Sequence, residues 1–189
     1  MLSQTQDDPK IFGFWIYLMT DLIIFAVLFA AFVVLRNNAF GGPTERELFH
    51  LPFALAETLI LLTSSFTCSL ATLSLYREKK NQVLFWFAVT ILLGLSFLFL
   101  ELSEFSDFIH RGAGPQRSAF LSSFFALVGT HGLHISVGLL WMAVASAAVW
   151  FRGLSKAEAS RVLRLALFWH FLDVVWIFIF TVVYAMGLL

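Results

Sequence analysis

From Ile11 to Leu35 the chain reads IFGFWIYLMTDLIIFAVLFAAFVVL, a run in which Asp21 is the only Asp, Glu, Lys, Arg or His. About 20 consecutive apolar residues suffice for a helix to cross the hydrocarbon of a bilayer, and this run is longer. No other feature limits the fold as tightly. Four similar runs follow, so membrane-spanning helices are expected at roughly 11–35, 51–75, 83–108, 119–151 and 163–188. The fourth is over-long for a bilayer and must tilt or extend beyond the hydrocarbon. The connections between runs are short, with no linker and no internal repeat, so residues 1–189 are expected to form a single all-α unit, a bundle of five transmembrane helices.

Composition agrees with that reading and excludes others. The chain is 60% hydrophobic and 13% charged, against ~25% charged for soluble domains. Zero formal net charge offers no basic surface, so nucleic acid is not an expected partner. Cys68 is the single cysteine, which rules out an internal disulfide; inside an apolar run it reads as a small buried hydrophobe. The N-terminal MLSQTQDDPK lacks the basic segment of a secretory signal, so no cleavable signal peptide is expected.

Orientation follows from the bias of Lys and Arg toward the cytoplasm. Lys10, Arg77, Lys79, Lys80, Arg152, Lys156, Arg161 and Arg164 fall on one side, eight in all, and Arg36, Arg46, Arg111 and Arg117 on the other. The N-terminus is therefore expected in the cytoplasm and the C-terminus outside. Trp15, Tyr76, Trp86, Trp150 and Trp169 are expected near the inner ends of their helices, as interfacial anchors.

Eight ionisable residues lie within the spans: Asp21, Glu57, Glu101, Glu104, His131, His134, His170 and Asp173. Each costs several kcal/mol in lipid unless it has a partner or a purpose. Six of them form the pairs ELSE, HGLH and HFLD, whose i, i+3 spacing puts both members on one helical face. At ~1.5 Å per residue the three glutamates lie roughly 6–10 Å from the outer boundary, and the others at central to inner depths. Two polar layers are thus expected, one of acids and one of histidines with two aspartates.

That separation disfavours a di-iron carboxylate site, which needs Glu and His at one level. A zinc or copper ion at His131, His134 and His170, or an axial haem pair between the fourth and fifth helices, stays geometrically open. Gly129, Gly132, Ser136 and Gly138 favour a quieter role, because small residues let helices approach and hydrogen-bond across the gap. His131 and His134 are therefore expected to bond to groups on adjacent helices, with Thr130 as a further donor. His170 and Asp173 are expected to do the same, through a contact along their own helix or with His134. Asp21 has no cation three or four residues away, so it is expected to be neutral or closely partnered, with a proton-related or lipid-contacting role as the alternative. The three glutamates should repel unless protonated or matched, for which Arg111 and Arg117 are candidates. A transporter reading is disfavoured, since no span is broken in its middle and no half repeats.

KIFGFWIYLMTDLIIF, ETLILLTSSFT, FFALVGTHGLHISVGLLWM and LFWHFLDVVWIFIFTVVYAMG closely resemble subunit III of the haem-copper terminal oxidases. The likeness runs from about Lys10 to the C-terminus and is strongest toward the five-helix form of the cytochrome o ubiquinol oxidase branch. GTHGLH together with WHFLDVVW is a highly specific combination. The resemblance implies a non-catalytic subunit of a complex in the bacterial cytoplasmic (inner) membrane that oxidises quinol, reduces oxygen to water and pumps protons. It implies no cofactor in this chain. Haem and copper belong to subunit I, beside which the chain packs with the other subunits, and its splayed helices hold phospholipid and support assembly and sustained turnover. Asp21 matches an intramembrane acid that is commonly Glu in the cytochrome c oxidase branch, which supports the quinol branch. The alternatives are subunit III of a cytochrome c oxidase, or a membrane oxidoreductase binding its own haem or copper through His131, His134 and His170.

Overall fold

The computed structural model describes residues 9–36 and 51–186. Among these residues the chain is helical, with α1 at Pro9–Leu35, α2 at Leu51–Tyr76, α3 at Lys80–His110, α4 at Ala119–Arg152 and α5 at Lys156–Ile179, which continues into a π-helical segment, Phe180–Ala185. All five are long and apolar enough to cross a membrane. The N-terminal tail and the first connection, with Arg46 of the charge count, lie outside the described residues, as does the end of the expected fifth span.

Local chemistry sets the helix ends. Ser118 starts α4 by accepting a hydrogen bond from the Leu121 N–H, and Ser155 starts α5 by accepting from the Glu158 N–H, each satisfying an amide that has no partner in the first turn. Gly153 ends α4 with φ of 73°, a left-handed conformation that costs glycine little. The cap at Ser155 starts α5 seven residues before the apolar run that the sequence marks at 163. Trp169 consequently lies well inside the helix, fully buried, with its Nε1–H donating to Ser64 Oγ at 3.1 Å. It is not the interfacial anchor expected of it. Trp15, Tyr76 and Trp150 are exposed, as anchors would be. Lys80 Nζ donates to the Trp150 carbonyl at 2.8 Å, tying the start of α3 to the end of α4.

Helices α2, α3, α4 and α5 pack in a ring, each against the next and α5 back against α2; α2 and α3 make the most extensive pair. The buried face of α2 explains this. Ala54, Thr58, Ser64, Thr67, Cys68, Ala71 and Ser74 are small or hydroxyl-bearing, which permits close approach and interhelical bonds such as Thr67 Oγ1 to Thr90 Oγ1 at 2.8 Å. Gly94 on α3 serves the same end, since a Cβ there would sit 2.8 Å from Leu139 Cδ2 and 2.9 Å from Trp169 Cη2. Helix α1 stands outside the ring, packed on α4 and less extensively on α5. Large apolar side chains such as Ile23, Val27, Phe66, Phe85, Phe99 and Leu140 are exposed on the outer surfaces, where lipid would solvate them.

Candidate functional site

The ionisable residues gather where the helices face one another. Toward one end of the ring lies an acidic group. Glu57 of α2 is fully buried, and Glu101 and Glu104 of α3 are nearly so. Glu57 is within electrostatic reach of both others. The Tyr184 hydroxyl donates to Glu104 Oε2 at 2.8 Å. Glu101 packs on Gly132 of α4 so closely that a Cβ there would lie 2.7 Å from Oε1. Arg111, expected as a counter-charge, pairs instead with Asp107 at 2.7 Å at the exposed end of α3.

Tyr184 joins this group because of the π-helical segment. Trp169 and Trp176 are seven residues apart on the inner face of α5, and the same step leads next to Val183. The wider turn of Phe180–Ala185 changes the phase, so that Val183 and Tyr184 are both fully buried. Trp169, Trp176 and Tyr184 then each donate to the ring: to Ser64, to Thr58 Oγ1 at 3.1 Å, and to Glu104. Tyr184 was not singled out by sequence reasoning, and no periodic signal reveals it.

The three membrane histidines go to separate surroundings. His131 is fully buried among rings, with Trp176 at 5.3 Å, Phe97 at 6.0 Å and Phe25 at 6.4 Å between centroids. Neither of its nitrogens has a hydrogen-bond partner among the described residues. The expected bond to an adjacent helix is replaced by aromatic packing, because the neighbouring faces of α1, α3 and α5 present rings at that level. His134, one turn on, bonds through Nδ1 to the Thr130 carbonyl of its own helix at 2.7 Å. Thr130 thus contributes its backbone acceptor rather than a donor. The other nitrogen of His134 faces Asp21 of α1, with Nε2 3.9 Å from Oδ2. That separation is too long for a hydrogen bond, and Asp21 Oδ2 has none among the described residues; Tyr17, one turn earlier on α1, lies within interaction range.

His170 points the other way. Its Nδ1 is 2.6 Å from Ser65 Oγ and its Nε2 is 3.3 Å from Ser69 Oγ, both on α2. The Asp173 carboxylate lies 3.8 Å from Nδ1 along the same helix. Neither serine stood out in the sequence, since hydroxyls recur throughout α2. His170 also lines an open trough of about 510 Å³ between α1 and α5, whose other walls include Trp15, Leu22, Phe25, Phe29, Phe171 and Phe178.

The three histidines do not form one donor set. His131, His134 and His170 do not converge, and among the described residues no three His, Cys, Asp or Glu side chains are placed to hold a metal ion. The two polar layers adjoin at α4, where Gly132 receives Glu101 and the preceding residue, His131, enters the aromatic box. They are closer than a count of residues along separate helices suggests, because a glycine lets a side chain from α3 reach the α4 backbone.

Comparison with known proteins covers nearly the whole sequence. Residues 6–188 match the family model described as cytochrome c oxidase subunit III. A protein named cytochrome bo(3) ubiquinol oxidase subunit 3 from Pseudomonas aeruginosa is 55% identical, over 95% of this chain and 86% of that relative. Quinol oxidase subunit 3 of Bacillus subtilis is 44% identical over 95% of this chain and 88% of its own length. A protein named cytochrome c oxidase subunit 3, from Bacillus sp. strain PS3, is 43% identical over 95% of this chain and 86% of that relative.

Proposed function

This chain belongs to the cytochrome c oxidase subunit III family, and on that premise we propose that it is the third, non-catalytic subunit of a quinol-oxidising, oxygen-reducing complex. It is a multi-pass protein of a bacterial membrane. The observation that carries the choice of electron donor is the 55% identity, over 95% of the chain, to a relative named for ubiquinol. The geometry supports a supporting rather than redox role, because the three histidines have three different sets of neighbours. In this reading subunit I carries the haems and copper. The chain packs beside it, phospholipid covers its apolar flanks, and the polar network of Asp21, Glu57, Glu101, Glu104, His131, His134, His170 and Asp173 fixes helix positions so that the complex assembles and keeps turning over.

The test is purification through an affinity tag on this chain. A haem-bearing partner should be recovered with it, and the complex should consume oxygen with ubiquinol and not with reduced cytochrome c. Substituting His131 or His134 by Ala should leave haem and copper per subunit I unchanged. Stoichiometric loss of either, with subunit I still present, would show that this chain holds a redox centre.

The orientation proposed with this role places the N-terminus inside and the C-terminus outside, from the distribution of Lys and Arg. With Cys68 replaced, single cysteines at Gln82 and Gly114 report on opposite ends of α3. Gln82→Cys should react with an impermeant thiol reagent only from the cytoplasmic side, and Gly114→Cys only from outside. Reaction of Gly114→Cys from the cytoplasm alone inverts the topology.

A further inference from the structure

Two turns at one end of the bundle concentrate charge of one sign. Arg77, Glu78 and Lys79 connect α2 to α3, which opens with Lys80. Arg152 closes α4, and Lys156, Arg161 and Arg164 lie on the first three turns of α5. Seven cations thus stand with two carboxylates, Glu78 and Glu158. The two turns adjoin, since Lys80 Nζ donates to the Trp150 carbonyl at 2.8 Å and lies 5.8 Å from the centre of the Trp150 ring. Glu158 is buried, with Oε1 2.9 Å from Arg161 Nη1 and 3.7 Å from Arg152 Nη1, so its charge is taken up within α4 and α5. Arg77, Lys79 and Lys156 are exposed, and among the described residues none of these side chains has a salt bridge or a hydrogen bond.

The bias of Lys and Arg toward one side of a membrane accounts for the sign of each turn taken singly. It does not require two turns to meet, and cations brought together repel unless an anion joins them. The opposite end of the bundle differs. Among the described residues it holds Arg36, Arg111 and Arg117, of which Arg111 is paired with Asp107 and Arg36 donates to the Met186 carbonyl. Exposed rings mark the level of the cations. Tyr76, 49% exposed, precedes Arg77, and Trp150 and Phe151, 63% and 84% exposed, precede Arg152. Aromatic side chains of membrane helices gather at head-group level, so these cations stand where lipid phosphates are. A zwitterionic lipid brings them no net charge. An acidic protein segment brings charge but no acyl chain for Trp150 and Phe151. An anionic phospholipid supplies both.

We propose that the adjoining α2–α3 and α4–α5 turns bind the head group of an anionic phospholipid, its phosphate held by Arg77, Lys79 and Lys156 and its acyl chains lying against Trp150 and Phe151. The Arg77 guanidinium can donate two N–H groups to two phosphate oxygens at once, whereas each lysine offers a point charge. Lys80, committed to the Trp150 carbonyl, holds the two turns together. This site goes beyond the subunit reading and is independent of the electron donor that the complex uses.

The experiment uses the complex purified through this chain, in nanodiscs of phosphatidylcholine. Traces of two photoreactive lipids are compared, phosphatidylglycerol and phosphatidylcholine, with identical acyl chains carrying an azide near the glycerol. The phosphatidylglycerol probe should label the peptides spanning residues 76–83 and 150–161, and unlabelled phosphatidylglycerol should compete for them. Arg77→Gln, Lys79→Gln and Lys156→Gln each remove one exposed charge. Each should raise the fraction of phosphatidylglycerol needed for half-maximal competition about fivefold, the scale of one juxtamembrane cation. Lys79→Arg should leave it unchanged, as should Arg117→Gln, which removes the same charge at the opposite end. Equal labelling by the two probes, competition indifferent to the three Gln variants, or an equal effect of Arg117→Gln overturns the proposal. So does absence of label on both peptides, the result expected if an acidic segment of another subunit covers the turns. Ubiquinol oxidation by the same preparation is scored separately. Its absence counts against the quinol-oxidase reading alone and leaves the lipid comparison unaffected.

Discussion

The two sides of α5 use similar residues to opposite effect. On the inner side, Trp169, Trp176 and Tyr184 are fully buried, and each finds an acceptor on α2 or α3. On the outer side, His170 and Phe171 line the α1–α5 trough with Phe178. Both sides combine rings with hydrogen-bonding groups at comparable depth. On both sides the hydrogen-bonding groups are committed to α2 or α3, and on the inner side the Trp169 ring closes on glycines at 94 and 138. On the outer side, α1 packs mainly on α4 and less extensively on α5, leaving the trough between them. In a membrane, aromatic and polar content does not separate a closed seam from an open surface; closure by the next helix does.

The largest expected effect on the closed side is Gly94→Ala. The added methyl meets Leu139 and, within 2.9 Å, the Trp169 ring, which is itself held by Ser64 and cannot swing away. Overpacking of this kind costs about 1–3 kcal/mol, so subunit release from the purified complex should begin at clearly lower temperature. Gly132→Ala should cost less, because the group it meets is the end of the flexible Glu101 side chain. If the two glycines respond alike, the packing of Trp169 against Gly94 is not rigid.

His131→Ala comes next, at about 1–2 kcal/mol by the scale of membrane helix contacts. Since the ring is packed among Phe25, Phe97 and Trp176, His131→Phe should recover most of the loss. Failure of Phe together with success of Asn or Gln would restore hydrogen bonding as the role of this residue. Tyr184→Phe deletes one buried donor to Glu104 and should lower stability by about 1 kcal/mol. The same loss should be absent when Glu104→Leu is already present, if the hydroxyl acts only through that side chain.

Asp21→Asn carries the smallest expected effect. Asn keeps the size and polarity of the side chain beside His134 at the α1–α4 contact. Assembly and oxygen consumption through prolonged turnover should both survive. Normal assembly followed by quick loss of activity would give Asp21 a proton-related role that helix packing does not explain.

How much of this was legible in the sequence follows from the solvent. A run such as Ile11–Leu35 can satisfy its backbone in lipid only as a helix, so five spans could be read without tertiary information, and α1 and α2 begin within two residues of expectation. Helix α5 begins before the apolar run because its first turns, from Lys156, are polar and held by the Ser155 cap rather than by hydrophobicity. The ionisable positions and their i, i+3 pairing were equally plain, and so was the family likeness carried by GTHGLH and WHFLDVVW.

The partners of those residues were decided only by the fold. Soluble helices announce their buried face by alternating apolar and polar stripes, but a membrane helix is apolar toward both lipid and protein, so phase is not written in its pattern. The sequence could not show that His131 would meet rings, that His134 would face Asp21, or that His170 would look into a trough. It could not place Tyr184 beside Glu104 either, because that depends on one π-helical turn shifting the register of α5. Lipid solubility is a property of composition, and the chain carries it in every span. Which polar groups are sealed and which remain open is a property of how five helices close on one another.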